Sequence, residues 1–169
     1  MATYYLQKTL VGAGNSFGFS GTNIQIDLDS AVTKVTESLN KLYVVNLQMP
    51  QNKNTYSNAP ATTYLVDLKQ LKWTFEVFGE LTNDTGNISG VSPATTSTAV
   101  NKMHLLEAMA EQGGQLVFGH RNNTSTETVN VVSMKFEDIE TEVGTSEVAM
   151  KENEARIHFT ILLQKGQDR

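Results

Sequence analysis

The sequence predicts an α+β domain, mainly antiparallel β, built as a sandwich or barrel with one flanking α-helix, an extended N-terminal arm and long loops. Three observations predict it. The polar side chains are mostly neutral: of 169 residues 20 are Thr and 14 are Asn, while 18% are charged, below the ~25% usual for soluble domains. Thr fits a pleated strand and Asn fits turns. Two stretches alternate strictly, Leu71–Trp73–Phe75–Val77 and Ile157–Phe159–Ile161–Leu163, which is the period of a strand with one buried face. Only one segment carries a well-marked helical stripe between a capping residue and a glycine stop. With elements in the order β-β-β-α-β-β-β, no run of βαβ units is present, so the sheet is expected to be antiparallel.

Taken in order, residues 1–22 are rich in glycine (Gly12, Gly14, Gly18, Gly21) around Leu10-Val11 and Phe17-Gly18-Phe19, and read as an extended arm. Residues 23–169 read as a single β-rich domain. Asn23 to Leu28 alternates as a first strand, with Ile24, Ile26 and Leu28 on one face. After Asp29-Ser30, the residues Val32, Val35 and Leu39 have helical spacing, but β-branched Val32, Thr33 and Val35 favour a strand equally. Leu42 to Met49 reads as a strand ended by Pro50. Residues 51–63 form a polar loop longer than the ~4–6 residues of most connections. Tyr64 to Asp67 leads into the most regular strand, which ends near Gly79 or Leu81 and is followed by an Asn/Thr/Gly/Ser-rich loop at roughly 82–97. The helix begins at Ser97 or Thr98, presents Val100, Met103, Leu106 and Ala110 with Leu105 and Met109 beside them, and stops at Gly113-Gly114. Gln115 to Phe118, Val129 to Phe136 and Arg156 to Lys165 complete the strands, with an acidic, irregular connection from Gly144 to Glu154. Trp73, Phe75, Val77, Ile157, Phe159 and Ile161 are expected to share one core.

Charge and composition exclude several classes of function. The net charge is -5 and the pI near 5.2, which lacks the basic footprint of a dedicated nucleic-acid grip. With no cysteine, disulfides, thiolate metal sites and cysteine nucleophiles are out, and the chain is expected to fold in a reducing cytoplasm. Met1-Ala2-Thr3-Tyr4-Tyr5 shows no secretory pattern. The longest apolar candidate, Ile157 to Leu163, is interrupted by His158 and Thr160, so no membrane span is expected.

A search for reaction chemistry finds no catalytic, cofactor-binding or metal-ligating set. His104, His120 and His158 lie on different elements without ligand spacing. The stretch Gly12-Ala13-Gly14-Asn15-Ser16-Phe17-Gly18 lacks the Gly-Lys-Ser/Thr of a phosphate loop and the strand and helix of a dinucleotide fold. Asp27-Leu28-Asp29 starts like a calcium loop, but Ala31, Thr33 and Ser38 stand where oxygen-rich ligands are needed. Glu137, Asp138, Glu140, Glu142, Glu147, Glu152 and Glu154 make a solvated acidic section, and no G-x-S-x-G elbow occurs. The sequons at Asn83, Asn87, Asn122 and Asn123 follow from an Asn/Thr-rich composition. The chain is therefore read as a non-enzyme needing no cofactor.

The layout is more telling than any motif of chemistry. Asn46-Leu47-Gln48-Met49-Pro50, a polar loop, Tyr64-Leu65-Val66-Asp67-Leu68-Lys69-Gln70-Leu71, and a strand ending Val77-Phe78-Gly79-Glu80-Leu81 precede the helix and late strands. Val131-Val132-Ser133-Met134-Lys135-Phe136-Glu137-Asp138-Ile139 then comes before Arg156 to Gly166. Over roughly residues 40–166 this resembles the tail-tube and baseplate-type structural proteins of tailed viruses of bacteria or archaea. The resemblance implies a virion protein, assembled in the host cytoplasm, whose copies join edge to edge into rings. The rings would stack into a tube, alone or with other tail or baseplate proteins. DNA would be only a transient passenger in the lumen, and an acidic balance suits a wall that must not hold it. On this reading the arm and the 51–63 loop are ordered by neighbouring copies, with Phe17, Phe19, Asn54, Tyr56 and Asn58 as interface candidates. The alternative from another class is a carbohydrate-binding β-sandwich with Tyr56, Tyr64 and Trp73 as stacking aromatics; a small hydrolase has only the carboxylates in its favour.

Overall fold

A computed structural model describes residues 4–45, 65–121, 125–138 and 156–166. The expected strand residues 46–49, the 51–63 loop with Asn54, Tyr56 and Asn58, Tyr64, the sequons Asn122 and Asn123, and the acidic connection from Gly144 to Glu154 lie outside these. So do Glu140 and Glu142.

The described residues form eight strands and one α-helix: β1 (Tyr5–Leu10), β2 (Gly21–Asp27), β3 (Val32–Val45), β4 (Leu65–Leu81), β5 (Ile88–Ser89), α1 (Ala99–Glu111), β6 (Leu116–His120), β7 (Ser125–Asp138) and β8 (Ile157–Lys165). They form one sheet in the order β3-β4-β8-β7-β6-β1-β2-β5, with every neighbouring pair antiparallel. The α+β class and the single flanking helix are as the sequence predicts. The sheet, however, is continuous and does not close into a barrel. It is strongly curled all the same. In a flat sheet β2, seventh in order, and β3, first, would lie roughly 29 Å apart, yet the five residue steps from Asp27 to Val32 span at most roughly 18 Å. The Leu28–Ala31 turn holds the two ends together: the amides of Ala31 and Val32 both donate to the Leu28 carbonyl, each at 3.1 Å, and the Glu80 amide of β4 donates to the Ala31 carbonyl at 2.8 Å.

The core lies inside this curl. Phe75, Val77, Leu81, Ile157, Phe159, Ile161 and Leu163 are buried with Leu6, Ile24, Ile26, Phe118 and the helix residues Leu105, Leu106 and Met109. Five of the six expected core residues are therefore fully enclosed, and Trp73 is half-buried against the same cluster. The segment after Ser30 is a strand. Its β-branched residues meet a long partner in β4, and that pairing outweighs the helical spacing.

The N-terminal stretch is not the free arm expected. β1 is an interior strand between β6 and β2, with Leu6 and Leu10 in the core. Lys8 hid this, because it stands at a core-facing position of the alternation. Its buried ammonium donates to the carbonyls of Met109 at 3.0 Å, Gly114 at 3.2 Å and Gly113, the end of α1. A cation there satisfies carbonyls left open by the last helical turn and complements its negative end.

At the other end of α1 the Thr98 hydroxyl accepts from the Asn101 amide at 3.2 Å, and the Asn83 side chain accepts from the Ala99 amide at 2.9 Å. The buried face is rotated from the expected stripe: Ala99, Lys102, Leu105, Leu106, Ala108 and Met109 point inward. Lys102 is completely enclosed. Its ammonium donates to the carbonyls of Thr82, at 2.6 Å, and Thr85; burial pushes its pKa below 10.5, against the pull of Asp84. Replacing Thr98 by Ala is expected to cost about 1 kcal/mol in chemical denaturation; no measurable loss would mean that the Asn83 cap suffices alone.

Candidate assembly surface

The longest strand pairing among the described residues carries two of their four exposed large apolar side chains. β3 and β4 pair from Val32 opposite Gly79 to Val45 opposite Leu65. β8 covers the other edge of β4 only from Thr74 to Leu81. Among the described residues the stretch 65–73 of β4 therefore pairs with β3 alone, as a two-stranded ribbon about 30 Å long beyond the end of β8.

The ribbon carries the core-facing phase out of the core. Val35, Glu37 and Leu39 stand opposite Val77, Phe75 and Trp73, and Lys41 stands opposite Leu71. Leu39 and Leu71 are thus diagonal neighbours on the face that holds Phe75. They are 55% and 57% exposed. The remaining large exposed apolar residues among those described, Val11 and Val132, stand elsewhere, Val132 at the bulge of β7.

Polar contacts anchor the root of the ribbon. The Trp73 indole N–H donates to Glu37 Oε1 at 2.8 Å, and the other Glu37 oxygen pairs with Arg121. Lys165 of β8 holds its ammonium 4.3 Å from the centre of the Trp73 ring and pairs with Glu127 of β7 at 2.6 Å. Exposed ion pairs contribute only ~0–1 kcal/mol each, so their main effect is to fix the direction in which the ribbon leaves the sheet. Trp73, a candidate sugar-stacking residue on the carbohydrate reading, has Lys165 over its ring and Phe75 stacked 6.1 Å away.

The other interface candidates divide. Asn54, Tyr56 and Asn58 lie outside the described residues. Phe17 and Phe19 are taken up by their own chain: Phe19 is buried, and Phe17 stacks on it at 5.8 Å and on His104 of α1 at 4.5 Å. The loop carrying them is strapped to α1. Glu111 accepts from the Ser16 amide at 2.6 Å and hydroxyl at 2.9 Å, and Gln112 accepts from the Val11 amide at 2.7 Å. Asn15 closes the loop internally, accepting from the Phe19 amide at 2.9 Å and donating to its carbonyl at 2.8 Å. The glycines read as part of an extended arm form a 3-10 turn at Gly12–Gly14 and a tight bend at Gly18, where φ is 69°.

The histidines do not meet. His104 lies on α1 against Phe17, His120 is buried at the end of β6, and His158 is exposed beside Glu80 at 3.4 Å. Among the described residues no group of three His, Asp or Glu side chains is placed to hold a metal ion. Asp29 accepts from the Tyr4 amide at 3.2 Å and belongs to the turn between β2 and β3. No helix among the described residues is long and apolar enough to cross a membrane.

No family model matches the chain, and no curated protein matches it. Among solved structures it is similar to a chain in the tail of an empty GTA particle with C6 symmetry, at a TM-score of 0.40 and 9% identity, over 98% of this chain and 92% of that one.

Proposed function

We propose that this chain is a structural virion protein, a subunit that joins copies of itself into rings stacked as a tail tube or tube-like baseplate around a channel for DNA. The observation that carries the reading is the β3–β4 ribbon, with Leu39 and Leu71 continuing the core stripe beyond the core. A lone subunit gains nothing from apolar side chains held in water on a projecting ribbon, whereas an assembly buries them. The outer edge of β3, fourteen residues long and unpaired among the described residues, adds backbone donors and acceptors that a second copy can pair. The layout of residues 40–166 supplies the comparison with tail-tube and baseplate subunits, and a net charge of -5 suits passage of a duplex without retention. Asn54, Tyr56 and Asn58, on the loop between the ribbon strands, are proposed to touch the next ring.

Two variants test this. Leu39→Asp with Leu71→Asp alters exposed positions, so the subunit should keep its melting temperature, since such changes fall within about 0.5 kcal/mol. It should lose the rings and tubes that the unaltered chain forms in sedimentation and negative-stain microscopy. Deleting residues 52–58 should permit rings and stop their stacking. Unaltered chain that stays monomeric at high concentration, or tubes of ordinary length from the leucine variant, would refute the assignment.

A further inference from the structure

One titratable group at the root of the ribbon is enclosed and has no polar partner on its inner nitrogen. His120 is 4% exposed. Its ring stacks on Phe118 at 5.2 Å and lies tilted against Phe75 at 5.3 Å, while Phe75 and Phe118 meet edge to face at 5.5 Å. Nε2 is buried and has no hydrogen-bond partner among the described residues. Phe75 in turn carries Trp73, so the three-ring cluster is the floor on which the base of the ribbon rests.

Neutral imidazole tolerates this place, because one ring nitrogen needs no proton and loses only the water it would accept from. Imidazolium does not. Protonation puts a hydrogen on Nε2, and a charged donor is then buried with nothing to receive it, which costs far more than an unused acceptor. The surrounding charges do not remove the conflict. Arg121, next in the chain, opposes a second cation; Glu37 of β3 and Glu127 of β7 favour it, but they are engaged with Arg121 and Lys165. From β4 the Phe75 ring meets the imidazole, with Trp73 stacked on Phe75 in turn.

We propose that His120 is an acid-sensitive latch: neutral, it completes the aromatic floor that seats Trp73; protonated, it leaves that floor, and the root of the β3–β4 ribbon loosens. The inference concerns the single subunit and stands whether or not copies assemble.

Burial, with Arg121 acting the same way, holds the His120 pKa below 6.5. A base whose folded pKa is lowered favours the folded state fully above its unfolded value. That advantage fades as the pH falls below 6.5, where the unfolded chain protonates first, and is gone once the folded value is passed.

Trp73 is the only tryptophan, so its emission reports on the ribbon root directly. In dilute full-length protein between pH 7.5 and pH 5, the melting temperature should fall by several degrees and the Trp73 emission should move to the red. His120→Phe keeps the stack and removes the titration, and should hold both readouts flat. His104→Gln and His158→Gln should keep the acid response. Should His120→Phe not fold, the ring proton resonances of the unaltered chain decide, with His120 expected to titrate below the ordinary imidazole range. Parallel acid losses in the unaltered chain and His120→Phe, a Trp73 emission indifferent to pH, or a His120 titration at or above that of an exposed histidine would each overturn the proposal.

Discussion

Replacing Phe159 by alanine is expected to lower stability by about 3–5 kcal/mol, the range for a buried aromatic truncated in a close-packed core. The ring is 2% exposed and sits at the centre of β8, with Gly79 of β4 and Phe136 of β7 directly opposite on either side. β8 joins the β3–β4 pair to the rest of the sheet, so no neighbouring element is free to collapse into the space. The value belongs at the upper half of the range for that reason. Urea denaturation of the variant checks it. A loss under 1 kcal/mol would mean that the ring contributes little to joining β4, β8 and β7.

An effect of similar size should come from the residue beneath that ring. Gly79 has no side chain because Phe159 occupies its place: a Cβ there would stand 2.6 Å from Phe159 Cζ and closer still to the Ala31 carbonyl oxygen. The ring could turn away; the carbonyl cannot, since it accepts from the Glu80 amide in holding the β2–β3 turn against β4. Gly79→Val must therefore both displace a core ring and pull apart a backbone contact. Its cost is expected at or above the ~3 kcal/mol upper end of ordinary overpacking, with loss of soluble protein as the extreme outcome. A Gly79→Val protein that melts like the unaltered chain would show the turn to be free to move.

Much of the sheet was legible because its strands have one wet and one dry side. β4 and β8 alternate without error over the residues that enter the core, and α1 is bounded by Thr98 and by Gly113-Gly114 as expected. β1 escaped notice since Lys8 replaces an apolar residue at a core position, and a lysine's use as a helix cap depends on a helix about a hundred residues away. Lys102 rotated the inner face of α1 for a related reason: its partners are carbonyls of a turn, which no side-chain pattern announces. β5 has two residues, too few for any period. Of the β3–β4 ribbon, the long alternating run after Tyr64 was readable, but the exposure of Leu71 was not. That exposure depends on where β8 stops, opposite Thr74, and apolar alternation looks the same on either side of that point. Phe17 looked stranded among glycines because His104, on which it stacks, is distant in sequence, and Phe19 because it enters a core made by distant strands.

The short turn between β2 and β3 has a consequence for the order in which the chain folds. β1–β2, β3–β4, β6–β7 and β7–β8 join strands consecutive in the chain, whereas β1–β6 and β4–β8 require segments such as Tyr5 and Gly119 to find each other across most of its length. Local hairpins form in about 1–10 μs, while domains dominated by long-range pairings fold in milliseconds to seconds. The two ends of the sheet, though neighbours in sequence, can settle against each other only after β8 has docked along β4. A nascent subunit thus displays the β3–β4 hairpin, with Leu39 and Leu71, before it owns a core. The exposed apolar stripe of the finished chain is then also a surface by which half-folded chains would meet too early.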